Sequence, residues 1–462
     1  MFYSDNMKLL EKKYPLIYKD IVKINPDKNT YEIIKTKTNQ FTLKINQGNT
    51  TYFLHSKYDP NREAINIAED NYNETIKNYV IFGLGFGYHV EQLMQMALDA
   101  NFYIIEMNKE VFKLALENVD LSDIINDDRV HLYVLDDISE IGQILKDVLS
   151  LDDIKIVLHN VSLKLMPDNL MDIKYLLEEY KMKEYSIEKF TPLLEENFKS
   201  NIRNYDENVD ILFNRIKNIP LYIISAGPSL DKNIKELKKA KGKGIILSVG
   251  RAVRPLLKEN IEPDLIVIIE PSSYLYDMQL KGLDIDVPII VLSTCDKNVM
   301  LKYKGKKLIA FQEGYPLAEK YAKEYNHKLV QTGGSVATTA LDIAINMGCN
   351  PIIFVGQDLA FTDNRTHSKD TYSKDITLHN NLRPIEDVYG NIVYTPKNLY
   401  SYLRWIQNRI KKESNIIFID ATEGGAKIIG TKILTLKEAI EKYSNKNIMF
   451  NILWNFYLMW IW

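Results

Sequence analysis

A chain of 462 residues with 58 lysines and arginines against 61 acids, a formal charge of −3, is long enough for two or three domains and carries no bulk field that would draw nucleic acid or an anionic membrane surface. Two cysteines, Cys295 and Cys349, cannot by themselves build a zinc cluster or a secreted disulfide framework, and residues 1–13 lack the apolar core of a signal peptide, so a reduced, cytoplasmic compartment is expected. The alternation of apolar runs with helical patterns predicts an α/β fold: two Rossmann-like parallel-sheet domains, a small N-terminal β-containing region and a helical linker.

In chain order, residues 1–73 read as the small N-terminal α+β region, with strand-like runs at 31–34 and 41–45. Residues 74–170 read as a first Rossmann-like domain with strands at 79–82, 102–106, 130–135 and 154–158. Its Gly83-x-Gly85-x-Gly87, followed by Glu106 at the end of the next strand, is the layout of a nucleotide or S-adenosylmethionine pocket. Ile81 stands where methyltransferases usually carry an acid, and no methyl-transfer motif follows, which favours a scaffold role. Residues 171–218 are highly charged and helical in pattern, the expected linker.

The second α/β domain is expected over 219–443, with strands at 221–225, 245–249, 265–269, 289–292, 308–311, 352–355 and 416–419. Residues 444–462 form an apolar, aromatic tail, too short at its 448–462 core for the ~20 residues that span a bilayer; it reads as a helix packed on the body or on a partner in preference to an interfacial anchor, and a truncated end stands as a further alternative. Val336, Ala337, Ala340, Leu341, Ala344 and Ile345 recur at helical spacing and predict a helix directly after Gly334.

Two glycine turns open helices in this domain, Ala226-Gly227-Pro228-Ser229-Leu230 and Thr332-Gly333-Gly334-Ser335. Glycine lets the backbone turn tightly and bring bare N–H groups to an anion, and a following helix adds unpaired donors and the positive end of its dipole. Each turn alone is equally a tight strand-to-helix connection with a capping serine. Together with Val355-Gly356-Gln357-Asp358-Leu359-Ala360 at the end of another buried strand, they point to an enzyme acting on a phosphate-bearing substrate.

The order of Ser225-Ala226-Gly227-Pro228-Ser229-Leu230, Ile269-Glu270-Pro271, Thr332-Gly333-Gly334-Ser335, Gly356-Gln357-Asp358, Thr366-His367-Ser368 and Glu423-Gly424-Gly425, with Leu54-His55-Ser56 upstream, resembles the motility accessory factor (Maf) glycosyltransferases. That resemblance implies a sialyltransferase-like catalytic domain and transfer of a nonulosonic acid from a CMP-activated donor to serine or threonine of flagellin. Flagellin and the CMP-sugar are then the expected partners, with no obligatory cofactor, no metal ligands and no transmembrane segment. It further implies a donor site built from Gly227, Pro228, Ser229, Glu270, Thr332, Gly333, Gly334, Ser335, Gln357 and Glu423. His367 and Asp358 are the implied catalytic pair: His367 as a base titrating near neutrality, Asp358 to hold a sugar or acceptor hydroxyl or to cap the next turn. Arg251 and Arg254 are candidates to meet the sugar carboxylate. Two rivals remain. One is a pterin pyrophosphokinase-like enzyme, which Glu270 disfavours because it stands without a second acid on its strand. The other is a non-catalytic flagellin-binding factor.

Overall fold

The computed structural model describes residues 2–48, 50–361 and 382–448. The chain divides into two compact units, Met1–Ser186 and Ile187–Trp462, with the boundary inside the long helix Met171–Asn201 of the expected linker.

In the first unit, helices Phe2–Lys13 and Pro15–Ile21 precede a three-stranded antiparallel sheet, β1 (Tyr31–Lys35), β2 (Phe41–Gln47) and β3 (Thr50–Phe53). Helix Pro60–Asn71 follows; Asp59 caps it by accepting the Arg62 N–H, and Pro60 fills the first position, where no N–H is needed. Next come β4 (Asn78–Phe82), β5 (Asn101–Glu106), β6 (Val130–Val134) and β7 (Ile154–Leu158), a parallel sheet in the order β6-β5-β4-β7. Tyr79, Val80, Ile81 and Phe82 of the central β4 are all fully buried, as expected of a parallel strand covered by helices on both faces.

The second unit is built on a ten-stranded sheet. Its strands are β8 (Glu207–Asn208), β9 (Leu221–Ile224), β10 (Ile245–Val249), β11 (Leu265–Ile268), β12 (Ile289–Leu292), β13 (Lys307–Gln312), β14 (Leu329–Val330), β15 (Ile352–Val355), β18 (Phe418–Asp420) and β19 (Lys432–Ile433). A hairpin of β16 (Arg383–Glu386) and β17 (Ile392–Thr395) lies apart from it. The order is β14-β13-β12-β11-β10-β9-β15-β18-β19, with β8 paired to β13, and every pair is parallel. The two parallel sheets expected from sequence are present, and the expected helix after Gly334 runs Val336–Met347. Strands β8, β14 and β19 are two residues each, too short for any periodicity, and the hairpin alternates around polar residues, so none of these stood out in the sequence.

Within the expected linker, Glu207 and Asn208 pair with Leu308 and Ile309 and so belong to the sheet. Cys295 and Cys349 are buried and free. Among the described residues no helix is long and apolar enough to cross a membrane. The apolar tail beyond residue 448 lies outside the described residues.

Candidate functional site

The large sheet reverses its winding between β9 and β15: from β9 the strands progress through β10 to β14 on one side, and then β15, β18 and β19 build the other. The connections leaving two such strands part to opposite faces, which opens a crevice outside their carboxyl ends. β9 runs into Ser225-Ala226-Gly227-Pro228-Ser229 and β15 into Gly356-Gln357-Asp358. The helix Val336–Met347 packs on β9, β10, β11 and β15, and because it leads into a parallel strand its N-terminus lies at the carboxyl-end side of the sheet.

The two turns at the reversal are tied to each other. Asp358, 3% exposed, accepts the Ser229 hydroxyl at 2.6 Å and the Ser229 N–H at 3.3 Å, while the Gly227 N–H donates to Gly356 O at 2.9 Å. A Cβ on Gly227 would stand 2.0 Å from Asp358 Oδ2 and 2.5 Å from Gly356 O. The sequence expectation of bare N–H groups is therefore corrected at this turn. Those of Gly227, Ser229 and Leu230 go to Gly356, Asp358 and Gly227, and the helix that follows, Leu230–Asn233, is a single turn. Gln357 is also turned inward, accepting the Ser225 hydroxyl. Leu359 holds φ of 53°, a left-handed conformation that costs a side-chain-bearing residue about 1–3 kcal/mol. The Thr395 hydroxyl, donating to Leu359 O at 2.7 Å, helps fix it.

The second turn is more open. Ser335 and Thr338 form a capping box, and the Thr338 hydroxyl also accepts the Gly333 N–H at 3.0 Å. Gly333 is required by Trp405, whose ring would lie 2.5 Å from a Cβ there. Gly334, exposed at φ of 85°, meets only the edge of Tyr402, at 3.2 Å. Among the described residues no acceptor meets the N–H groups of Gly334, Val336 or Ala337, so the start of this twelve-residue helix keeps its donors and its dipole for an anion. Ala337 packs in the same apolar cluster as Ala226, Leu230, Val355 and Ala421, beside the reversal. Glu270, half-buried past the end of β11, belongs to this side: the Tyr402 phenol is raised by burial, with the Glu270 charge adding to it.

Glu423 plays a different part. Its Oε1 accepts the Asn233 amide and the Leu436 N–H, each at 3.0 Å, and so joins the Gly-Pro-Ser-Leu segment to the start of helix Leu436–Tyr443. Arg254 directs Nε and Nη2 to the carbonyls of Met278 and Lys281 rather than outward. His367 lies outside the described residues, as does His379, a second histidine in the same stretch.

Sequence reasoning missed Asp420, the residue closing β18. It is 1% exposed; Oδ1 takes the Thr422 N–H at 3.1 Å, and Oδ2 has no hydrogen-bond partner among the described residues. Burial pushes its pKa up to about 6, and the nearby Asp358 charge adds to the rise. The available signal was its place between an apolar run and Ala421-Thr422-Glu423. Also missed were Asn197 and Asn201, whose amides take the carbonyls of Pro271, Thr294, Ser293 and Cys295 past the ends of β11 and β12.

In the first unit, Glu106 is turned onto the glycine loop. It accepts the N–H groups of Leu84, Gly85 and Asn108 at 2.8, 3.1 and 2.9 Å, and is fully buried. A Cβ on Gly83 would lie 2.3 Å from Ser162 Cβ, and one on Gly85 2.8 Å from His55 Nε2, so protein side chains occupy the space beside the loop.

Residues 40–150 match the family model of the glycosyltransferase Maf N-terminal domain. Over those residues the chain is similar to Maf N-terminal domains. That match supports the resemblance to Maf proteins expected from the motifs, and with it a glycosyltransferase role. Residues 195–364 match the 6-hydroxymethylpterin diphosphokinase MptE-like model. Among solved structures, a Maf glycosyltransferase from Magnetospirillum magneticum AMB-1 is similar over 99% of this chain and 77% of that one, at 14% identity and a TM-score of 0.49. MNMC2 from Aquifex aeolicus is similar over 27% of this chain and 49% of that one, at 19% identity and a TM-score of 0.16. No curated protein matches the chain in sequence.

Proposed function

We propose that this chain transfers a nonulosonic acid from a CMP-activated donor to serine or threonine hydroxyls of flagellin, in support of flagellar assembly. The observation that carries this reading is the open start of helix Val336–Met347 beside the β9–β15 reversal, where donors and dipole suit a single phosphodiester leaving group. The acceptor hydroxyl oxygen attacks the anomeric carbon, the bond from that carbon to the phosphate oxygen breaks, and CMP leaves with the electron pair. His367 takes the hydroxyl proton. The N–H groups of Gly334, Val336 and Ala337 hold the departing phosphate, and Thr332, Ser335 and Glu270 border the nucleoside. Asp358 and Ser229 position the β9 and β15 turns relative to each other, with Gly227, Pro228 and Gln357 as the packed base of the donor site. The first α/β domain acts as a scaffold, since Glu106, His55 and Ser162 fill the surroundings of its glycine loop.

A thermal-shift series with CMP, CDP, UDP, GDP, ATP and S-adenosylmethionine tests the donor class; selective stabilisation by CMP is expected. Mass spectrometry of flagellin after incubation with the CMP-sugar reads the transfer itself. The pterin diphosphokinase-like match over residues 195–364 favours one alternative, pyrophosphoryl transfer from ATP. Selective stabilisation by ATP with magnesium, and none by CMP, would replace the first reading with the second.

A further inference from the structure

His55, from the segment before helix Pro60–Asn71, His89, in the first turn of helix Tyr88–Met96, and His159, directly after β7, converge in the first unit although 34 and 70 residues of sequence separate successive members. They are 2%, 1% and 3% exposed, and one ring nitrogen of each lies within 4.8 Å of the others. We propose that His55, His89 and His159 bind one divalent transition-metal ion of the zinc class.

Three neutral imidazoles packed together for bulk alone would each still need a partner at both nitrogens. Here one nitrogen of His89 and one of His159 is held from behind, as metal-binding histidines usually are. His89 Nε2 donates to Gly83 O at 3.1 Å, which leaves Nδ1 as the lone-pair atom; that atom is buried and has no hydrogen-bond partner among the described residues. His159 Nδ1 is bonded to Ser162 Oγ at 2.7 Å, which turns Nε2 to the cluster. The Phe86 N–H donates to His55 Nε2 at 2.9 Å, so the His55 proton is on Nδ1, which faces Glu63 Oε2 at 3.6 Å. A buried acceptor without a donor is costly, and a cation supplies what His89 Nδ1 lacks.

Spacing agrees. With Zn–N of about 2.0–2.1 Å and tetrahedral angles, three imidazole centroids stand roughly 5 Å apart; the observed separations are 4.7, 4.9 and 6.2 Å. Imidazole is a ligand for zinc, copper, nickel and iron, and a three-histidine set leaves a fourth position for water. Loading requires His55 Nε2 to exchange the Phe86 N–H for the ion. The cluster also accounts for the glycine at 85, since a side chain there would strike His55 Nε2 and approach His159 Cε1 at 3.5 Å.

The test uses untagged full-length protein, stripped with chelator, equilibrated with zinc and then dialysed, with bound metal measured by elemental mass spectrometry. One zinc per chain is expected, and cobalt in its place should give the visible absorption of tetrahedral nitrogen-rich coordination. His89→Ala and His159→Ala should each lower bound zinc at least tenfold, whereas His131→Ala, at an exposed histidine on β6, should retain it. Stoichiometric binding that survives both cluster variants overturns the proposal, because the metal would then sit elsewhere. Where a cluster variant does not fold by circular dichroism, the wild-type protein decides: no stoichiometric zinc and no tetrahedral cobalt spectrum means that the histidines are packing residues only.

Discussion

Asp420→Asn isolates a buried, strongly perturbed carboxyl near the β9–β15 reversal. In the folded chain Asp420 titrates at about 6 against an ordinary 3.8, chiefly through burial. The folded state therefore holds this proton more tightly than the unfolded one. Below 3.8 both states are protonated and the residue costs nothing; as pH rises from 3.8 to about 6 the unfolded chain ionises first and stability falls; above 6 the full penalty is present. A gap of about two decades at 1.36 kcal/mol each is worth roughly 3 kcal/mol. Asparagine keeps an oxygen for the Thr422 N–H and cannot ionise, so Asp420→Asn should match the wild type near pH 3.8 and exceed it by up to ~3 kcal/mol at pH 7.5. Urea denaturation from pH 4 to 8, with amide exchange read on β15 and β18, follows the second unit by itself. A difference that stays flat with pH, or a wild type more stable at pH 7.5, would refute the reasoning. Because Asp358 contributes to the rise, Asp358→Asn should also lower the pH at which Asp420 ionises.

Gly227→Val is expected to lower stability by several kcal/mol rather than simply weaken CMP binding, because a side chain there meets Asp358 and the Gly356 carbonyl; an unchanged melting temperature would count against the described turn. Glu106→Ala strands three N–H donors at about 1–3 kcal/mol each and should destabilise the first unit markedly, and calorimetry should find no saturable S-adenosylmethionine binding in the wild type. His367→Ala should reduce transfer by ~10²–10⁴-fold with CMP affinity intact; near-normal turnover would move the base to His379 or a carboxylate. Added magnesium or manganese should change transfer only modestly, since backbone donors suffice for a monoanionic phosphodiester; complete dependence on either ion would favour the pyrophosphokinase reading.

Much of the fold was readable because buried parallel strands such as 245–249 and 289–292 are continuous apolar runs, and because the helix after Gly334 repeats small apolar residues at helical spacing. The site was readable only as segments. Asp358 bonds to Ser229 across 129 residues, and what joins them is the adjacency of β9 and β15, a property of sheet order that no local pattern encodes. The histidine cluster is hidden for the same reason. Glycine was the ambiguous letter throughout. A glycine in a strand-to-helix turn is needed either because a ligand approaches the backbone or because the protein does, and the sequence reads alike in both cases. The distinction lies in what stands where a Cβ would be: Ser162 and His55 at Gly83 and Gly85, a carboxylate at Gly227, a tryptophan at Gly333. At Gly334 the neighbour is only an aromatic edge, and the adjoining helix N–H groups have no acceptor among the described residues. Of these glycines, Gly334 is the one whose surroundings leave room for an anion, so the proposed donor phosphate is assigned to the second turn rather than to the Gly-Pro-Ser-Leu segment that first drew the phosphate reading.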